Sequence, residues 1–151
     1  MRPSIRLAHP ATDWPKLQSI RRQVFHLEQH ISEALDFDGQ DAEARHLLAE
    51  VEGEAVATLR WRILRSQSPE STAPPTAKLE RLAVLASHRR QGIALQLMEF
   101  ALDQMHQQGV ETVVVHAQRQ IQPLYDRLQF DPQGEPFWEA GIEHVKMVRC
   151  I

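Results

Sequence analysis

The sequence predicts an α/β (α+β) fold, in which helices pack on the faces of a mixed sheet. Two observations predict it. In the second half of the chain, strand-like apolar segments alternate with segments of helical periodicity, whereas a hairpin-like pair of strands fills the first half. With 151 residues, 42% of them hydrophobic and 25% charged, the chain is long enough to bury a core. We expect one domain over residues 1–151.

The first part of the chain predicts a strand followed by a helix. Apolar and polar side chains alternate over residues 4–8, which indicates a short strand. Asp13 is predicted to cap the helix that follows, with Pro15 in its first turn. Apolar side chains then recur at steps of three and four residues as far as Ile31, which is typical of an amphipathic helix. The predicted outer face of this helix carries Arg21, Arg22 and Gln23.

An acidic segment over residues 28–43 contains no lysine or arginine. One interpretation is a solvated loop. Another is an acidic rim that attracts a cationic substrate through its summed field. Calcium is disfavoured, because the spacing lacks the glycine position and the closing glutamate of an EF-hand loop. The carboxylates of the segment are Glu28, Glu33, Asp36, Asp38, Asp41 and Glu43.

The middle of the chain predicts a β-hairpin. Residues 46–51 and 54–64 have strand character and meet at Gly53. Residues 66–76 are rich in Ser, Pro and Thr and predict a loop, which is too short to link two domains.

The second half predicts a right-handed βαβ unit. Its strand, helix and strand cover residues 79–85, 91–108 and 111–117, and Gly109 is placed to end the helix. A short helix with Pro123 in its first turn is predicted next. Two final strands are predicted over residues 130–132 and 143–149.

The loop inside the βαβ unit has the features of an anion site. Arg89 and Arg90 precede Gly92 at the start of the helix. A helix N-terminus offers free N–H groups and a positive dipole end, and arginines add bidentate contacts to phosphate. A Walker motif and a GxGxxG dinucleotide motif are both missing from the loop.

Residues 89–94, Arg-Arg-Gln-Gly-Ile-Ala, resemble the (Q/R)xxGx(G/A) pyrophosphate loop of the GNAT acetyltransferases. Residues 79–84 resemble the bulged fourth strand of that family, and residues 124–130 resemble its LYxxxGF motif. The resemblance covers nearly the whole chain. It is closer to the ElaA-type subgroup, which these segments resemble: 24–29, 38–39, Arg81, 116–118 and 137–144.

The resemblance implies a mostly antiparallel sheet of about seven strands with a splay between the fourth and fifth. It implies acetyl-CoA (coenzyme A) as co-substrate and no metal. The N–H of Leu82 would stabilise the oxyanion of a tetrahedral intermediate. The pantetheine arm would run along Leu82, Ala83 and Val84. The pyrophosphate would be held by Arg89, Arg90, Gln91, Gly92, Ile93 and Ala94.

Two positions depart from the family pattern. Gln129 stands where the family has glycine, so a left-handed turn there would cost some energy. Gln118 stands where the family has asparagine, and it is kept here as a cofactor-binding residue.

The implied reaction is direct attack of an amine on the thioester in a ternary complex. An ammonium must first lose a proton, and Glu80 is the predicted base. By strand alternation it is expected to share a face with Leu82 and Val84. The alternative is a surface glutamate in an ion pair. Tyr125 falls at the general-acid position of the family and would protonate the departing thiolate, the alternative being a core tyrosine.

The acceptor amine would be bound by residues from several segments. Glu28 is predicted to contact it, while His116 either lines the cleft or caps a strand. Glu139 and His144 are predicted to reach the same site. Zinc at the i,i+4 pair of His26 and His30 is disfavoured, because no third ligand is evident. We expect no nucleic acid at a net charge of −3.

The remaining expectations concern cellular context. No apolar window approaches the roughly 20 residues of a membrane span, so no membrane partner is expected. The one cysteine, Cys150, permits no disulfide within the chain, which favours a reducing, cytoplasmic location. It also lacks a partner histidine at a recognisable spacing, so an acyl-carrying nucleophile is disfavoured. The chain is expected to be a monomer or a homodimer.

Three hypotheses about function follow. The first is an N-acetyltransferase acting on a primary amine of a small molecule or peptide. The second is a non-catalytic acyl-CoA-binding sensor or interaction module with the same fold. The third is an interaction domain that presents the acidic segment to a basic protein.

Overall fold

A computed structural model describes residues 2–64 and 70–151. The predicted loop over residues 66–76 falls partly on residues 66–69, which lie outside the described residues. The described part contains seven strands: β1 (Ser4–Leu7), β2 (Arg45–Val51), β3 (Glu54–Leu64), β4 (Thr76–Val84), β5 (Thr112–Gln118), β6 (Asp131–Glu139) and β7 (Ile142–Cys150). Its α-helices are α1 (Pro10–Arg21), α2 (Glu33–Asp36), α3 (Ile93–Gln107) and α4 (Gln122–Arg127).

The strands form one mixed sheet in the order β1-β2-β3-β4-β5-β7-β6. Every neighbouring pair is antiparallel except β4 and β5, which run parallel on either side of the α3 crossover. The predicted mixed α/β class is therefore confirmed, as are the hairpin and the βαβ unit.

The parallel pair β4 and β5 separates along its length. Hydrogen-bonded register joins only residues 76–79 with residues 112–115, and the last pair is Leu79 with Val115. Beyond that pair the two strands part, and we call the gap between residues 80–84 and 116–118 the splay. The expected splay between the fourth and fifth strands is confirmed.

A β-bulge in β4 lies at the start of the splay. Thr58 pairs with Ala83 and Arg60 pairs with Glu80, so two residues of β4 face the single residue between them on β3. Arg81, one of those two, has a φ of 53°. Such a bulge shifts the alternation of side chains along the strand.

The bulge makes one prediction about Glu80 wrong. Leu82 and Val84 pack against the core cluster that contains Leu79, whereas Glu80 pairs with Arg60 and Lys78. Because the extra residue inverts the alternation, Glu80 does not share a face with Leu82 and Val84.

Apolar side chains cover both faces of the sheet. On one face α3 contributes Leu97, Met98, Ala101 and Met105, all of them fully buried. On the other face Leu17, Ile20 and Val24 pack over Leu48 and Ala83. The helical periodicity that predicted α3 is therefore the periodicity of its buried face.

The first helix begins earlier than predicted. Pro10 occupies its first position, where a fixed φ and a missing N–H are tolerated. Asp13 does not cap the helix; it accepts the N–H of His9 at 2.7 Å and pairs with Arg6 at 2.7 Å. Pro15 lies inside the helix.

A π-helical segment, Arg22–Glu28, continues α1 toward the splay. Because a π-helical turn is wider than an α-helical one, the apolar face of α1 is rotated along this segment. As a result Leu27 is 71% exposed, although its spacing predicted the buried face.

Two further differences from prediction lie near the C-terminus. Strand β6 is longer than the predicted 130–132 because an edge strand tolerates Pro132 and Pro136. Gln129 adopts the left-handed conformation expected of its position, with a φ of 65°. Within the part of the chain that the structure describes, no helix is long and apolar enough to cross a membrane.

Candidate functional site

A cleft of about 730 Å³ opens at the splay. Its walls come from β4, β5, the π-helical segment, the start of α3, α4 and the β6–β7 turn. Most of the predicted site residues line it: Glu28, Glu80, Leu82, Ala83, Val84, Arg89, Ala94, His116, Gln118, Tyr125, Glu139 and His144. Of the other predicted residues, Arg90, Gln91 and Gly92 are exposed in the adjoining loop and Ile93 is buried in the core.

The loop before α3 has an unusual backbone. Arg90 and Gly92 both adopt positive φ, at 62° and 80°. Gly92 is the N-cap of α3, a helix of 15 residues. The loop therefore ends at a helix N-terminus with free N–H groups, which is a suitable place for an anion.

The side chain of Arg89 bridges two parts of the cleft. Its Nε donates to the carbonyl of Val84 at 2.9 Å, and its two terminal nitrogens donate to Glu28 at 2.8 Å each. Arg89 and Glu28 were predicted in separate subsites, one for the cofactor and one for the amine. The structure brings them into a single bidentate pair.

Gln118 also reaches the π-helical segment. Its side-chain amide donates to Gln29 at 2.8 Å, and Gln29 donates back at 3.3 Å. Glu28 and Gln29 are consecutive, so one short piece of chain joins the α3 loop to the end of β5. We call these two contacts, Glu28–Arg89 and Gln29–Gln118, the 28–29 bridge. Gln29 is not among the predicted site residues, because its only signal in the sequence is its position after Glu28.

Glu80 lies among three cations. Its carboxylate contacts Arg60, accepts from Nε of Arg62 at 2.9 Å and is 3.6 Å from Nζ of Lys78. Burial alone would raise the pKa of Glu80, but the hydrogen bond from Arg62 and the surrounding positive charges outweigh it and lower the pKa. Glu80 is thus a stable carboxylate with little tendency to take a proton.

The acidic segment is only partly solvated, because its three aspartates pair with arginines while Glu33 stays exposed. Asp36 pairs with Arg21 at 2.8 Å and with Arg81 at 3.1 Å. Arg60 pairs with both Asp38 and Asp41, at N–O distances of 2.8 and 3.0 Å. We call these six residues the arginine–aspartate network: Arg21, Arg60, Arg81, Asp36, Asp38 and Asp41.

The network overturns two predictions. Arg21 was placed on the outer face of its helix, yet its side chain is 1% exposed because it pairs with both Asp36 and Asp41. The three aspartates cannot attract a cationic substrate while arginines neutralise them. The sequence contains a signal of these pairs. Arg60 and Arg81 lie within apolar strand segments, and a buried arginine needs a partner of opposite charge.

Tyr125 lies at the inner end of the cleft on α4. Its side chain is 3% exposed and its ring packs edge-on against Phe130 at 5.8 Å. Burial raises the pKa of the hydroxyl well above its usual range, so the group keeps its proton. The residue is therefore a core tyrosine whose protonated side chain also lines the cleft.

The opposite wall gathers three predicted residues into one cluster. Nδ1 of His116 is 3.4 Å from Oε1 of Glu139, and Nε2 of His144 is 3.7 Å from Oε2. Nδ1 of His144 donates to the carbonyl of Ile142 at 2.7 Å. Phe137 contacts both imidazoles, at ring-centroid distances of 5.1 and 5.9 Å.

Metal ligands do not cluster in the described residues, where no group of three or more His, Cys, Asp or Glu side chains could hold an ion. His26 instead contacts Asp36 at 2.7 Å. Cys150 is a free, exposed cysteine at the end of β7.

The fold and the cleft define a class of α/β protein that takes a ligand between two parted strands, beside an anion-binding helix start. Residues 12–150 match the family model described as the acetyltransferase (GNAT) domain. The chain therefore belongs to the GNAT acetyltransferase family.

Relatives and solved structures agree with this assignment. The uncharacterized protein YyaT of Bacillus subtilis is 34% identical over 135 residues, which are 87% of this chain and 85% of that protein. Escherichia coli ElaA superposes with a TM-score of 0.80 at 28% identity, covering 98% of this chain and 99% of that one. Escherichia coli YhbS, solved in complex with CoA, superposes with a TM-score of 0.75 at 25% identity, covering 99% of this chain and 82% of that one.

Proposed function

We propose that the protein transfers an acetyl group from acetyl-CoA to a primary amine of a small molecule or peptide. The observation that carries the proposal is the splay, which sets the β4 backbone of residues 82–84 beside the anion-binding start of α3. A long ligand with a pyrophosphate at one end and a thioester at the other suits that arrangement. Membership of an acetyltransferase family and a CoA-bound structural neighbour support the choice of ligand.

In this proposal the pyrophosphate lies on the N–H groups of residues 89–94. The pantetheine arm extends along Leu82, Ala83 and Val84 as an added strand would. The N–H of Leu82 is assigned to the oxyanion that forms when the amine attacks.

Tyr125 is proposed to give a proton to the departing CoA thiolate. Its buried hydroxyl, with a raised pKa, is protonated at every physiological pH, which supports the role of donor. Glu80 remains the base that the sequence predicts, although its three cationic partners make it a weak acceptor of protons.

The acceptor amine enters from the face that carries His116, Glu139 and His144. With the aspartates of the network neutralised, Glu139 is proposed to attract an ammonium, together with Glu28 once the pyrophosphate has displaced it from Arg89. A cytoplasmic location, which the single cysteine favours, stays a prediction, as do a single domain and a monomeric or dimeric state.

A binding and a turnover measurement together test the proposal. Acetyl-CoA at about 100 times its Kd should stabilise the folded chain by about 2.7 kcal/mol, which thermal unfolding would register as a higher Tm. Thiol release should then appear with at least one member of a panel of polyamines, aminoglycosides, amino acids and peptides. No Tm shift at millimolar acetyl-CoA would refute the proposal.

A non-catalytic acyl-CoA sensor is the second candidate. It predicts the same Tm shift with no thiol release from any amine in the panel. Tyr125 in the cleft favours the enzyme, because a protein that only binds CoA has no need of a proton donor there.

A further inference from the structure

We propose that His116, positioned by Glu139, accepts the proton that the acceptor amine must lose before it attacks the thioester. The inference rests on the proposed function, and it concerns the group that performs one step of it. The neighbouring candidate, Glu80, has its carboxylate in contact with Arg60, Arg62 and Lys78. Protonating Glu80 would leave those cations without their anion, which a partly buried site disfavours.

The position of His116 in β5 places it at the mouth of the splay. Val115 forms the last pair with β4, so His116 is the first residue of β5 beyond the point where the strands part. Val113, Val115 and Ala117 are buried in the cluster beneath α3, and His116 therefore lies on the opposite face. That is the face on which Glu80 and Lys78 lie.

The contacts of His116 prepare one ring nitrogen to act as a base. Glu139 is an anion, and the largest cause of its lowered pKa is its hydrogen bond with His116. An ionised carboxylate only accepts, so the 3.4 Å contact requires the proton of the neutral ring on Nδ1. The lone pair is then on Nε2, the arrangement by which carboxylate–histidine pairs fix a tautomer.

The surroundings hold the pair in place. Phe137 packs edge-on against His116, and His144 approaches the second oxygen of Glu139. The charged and titratable groups around the ring come from both neighbouring strands and the turn: Lys78 and Glu80 on β4, Lys146 directly opposite on β7, and Glu139 and His144 at the β6–β7 turn.

The proposed step moves one proton to His116 and the acetyl group to the amine. Nε2 of His116 takes a proton from the ammonium, and the freed lone pair attacks the thioester carbon. The C–N bond forms and the C–S bond breaks. The thiolate receives a proton from Tyr125, and the second proton of the attacking nitrogen passes through solvent to the Tyr125 phenolate. The imidazolium returns its proton to solvent, so each turnover yields an amide, free CoA and one proton.

Thiol release from acetyl-CoA with two probe amines tests the assignment. Ethylamine is protonated at neutral pH and needs a base, whereas hydroxylamine is not protonated there. His116→Gln should lower kcat/KM for ethylamine by about 10²-fold or more and affect hydroxylamine less. At neutral pH the wild-type rate with ethylamine should form a level region, whereas the rate of His116→Gln should keep rising with pH, because only the unprotonated amine then reacts. Glu80→Gln should keep that level region, and His106→Gln, an exposed histidine on α3, is the matched control.

The outcomes separate this inference from the proposed function. If the wild-type chain binds no acetyl-CoA, the proposed function fails. If the wild type is active and His116→Gln keeps its rate and pH profile, or Glu80→Gln alone removes the level region, only this inference fails. Unchanged acetyl-CoA affinity in His116→Gln shows that the variant is folded.

A spectroscopic measurement decides the matter without any acceptor. In the full chain with ¹⁵N-labelled histidine, NMR of the neutral ring should show His116 with its proton on Nδ1, assigned by the signal lost in His116→Gln. Glu139→Gln should convert that ring to a mixture of tautomers, which a merely structural role for Glu139 would not do. A ring protonated on Nε2 in the wild type overturns the inference.

Discussion

Several single residues of the cleft have more than one partner, and their assigned roles depend on which partner prevails. Arg89 contacts Glu28 in the structure but is assigned to a pyrophosphate in the proposed reaction. Tyr125 packs in the core and is also assigned as a proton donor. Substitution at each position distinguishes the two roles.

Tyr125→Phe should slow turnover by about 10²-fold while leaving the affinity for acetyl-CoA unchanged. The substitution removes only the hydroxyl, so packing against Phe130 remains. Steady-state thiol release and calorimetric titration with acetyl-CoA would measure the two effects. An unaffected turnover would assign Tyr125 to the core alone.

Glu28→Gln should tighten the binding of CoA by a few-fold. Glu28 occupies the guanidinium of Arg89 with two hydrogen bonds of 2.8 Å, and a pyrophosphate must compete with it. Glu33→Gln, an exposed carboxylate beside Arg22, is the control and should leave the affinity unchanged. Weaker binding of CoA by Glu28→Gln would mean that Glu28 orients Arg89 rather than competing for it.

At the scale of elements, the sequence predicted best those helices and strands whose buried side chains recur at regular spacing. Helix α3 and the β2–β3 hairpin followed directly from the spacing of their apolar residues. Strand β6 did not, because Pro132, Gly134 and Pro136 are tolerated only by virtue of its position at the sheet edge. The alternation of apolar and polar side chains could not reveal the bulge at Arg81, so the face of Glu80 was predicted wrongly.

Gly92→Ala tests the start of α3. The residue has a φ of 80°, and the nearest atom to an added Cβ would be 4.0 Å away, so the cost is conformational rather than steric. We expect a loss of about 1 kcal/mol in the free energy of unfolding. Denaturant unfolding would measure it, with the exposed neighbour Gln91→Ala as control. An equal loss in both variants would contradict this explanation.

At the scale of the whole molecule, the arginine–aspartate network ties the segment before β2 to the middle of the sheet. The partners lie far apart in sequence, as with Arg81 and Asp36, and only the folded chain brings them together. Composition could therefore reveal six carboxylates in residues 28–43 but not the neutralisation of the three aspartates among them. The same limit applied to the cluster of His116, Glu139 and His144, whose members were predicted without their contacts.

The network and Glu80, which contacts Arg60, predict how stability depends on pH. Burial would raise the pKa values of Asp38, Asp41 and Glu80, but hydrogen bonds and charges from arginines lower all three. A folded pKa below the unfolded one means that the stabilisation is complete above about pH 4 and is lost as the pH falls through the folded values. Thermal unfolding from neutral pH down to about pH 3 should show a declining Tm.

Asp38→Asn supplies the comparison for that experiment. It should be less stable than the wild type at neutral pH, and its Tm should fall less on acidification because one of the three groups is gone. The same decline in both proteins would remove Asp38 from the explanation.

The 28–29 bridge has a consequence for how the two substrates influence each other. Because Glu28 and Gln29 are adjacent in the chain, a cofactor that draws Arg89 away from Glu28 also loosens Gln29 from Gln118 at the end of β5, the strand that carries His116. The two half-sites are then thermodynamically linked, so each substrate should change the affinity of the other by the same factor. Equilibrium titration of CoA with and without a bound amine should show this reciprocity, and Gln29→Ala should abolish it.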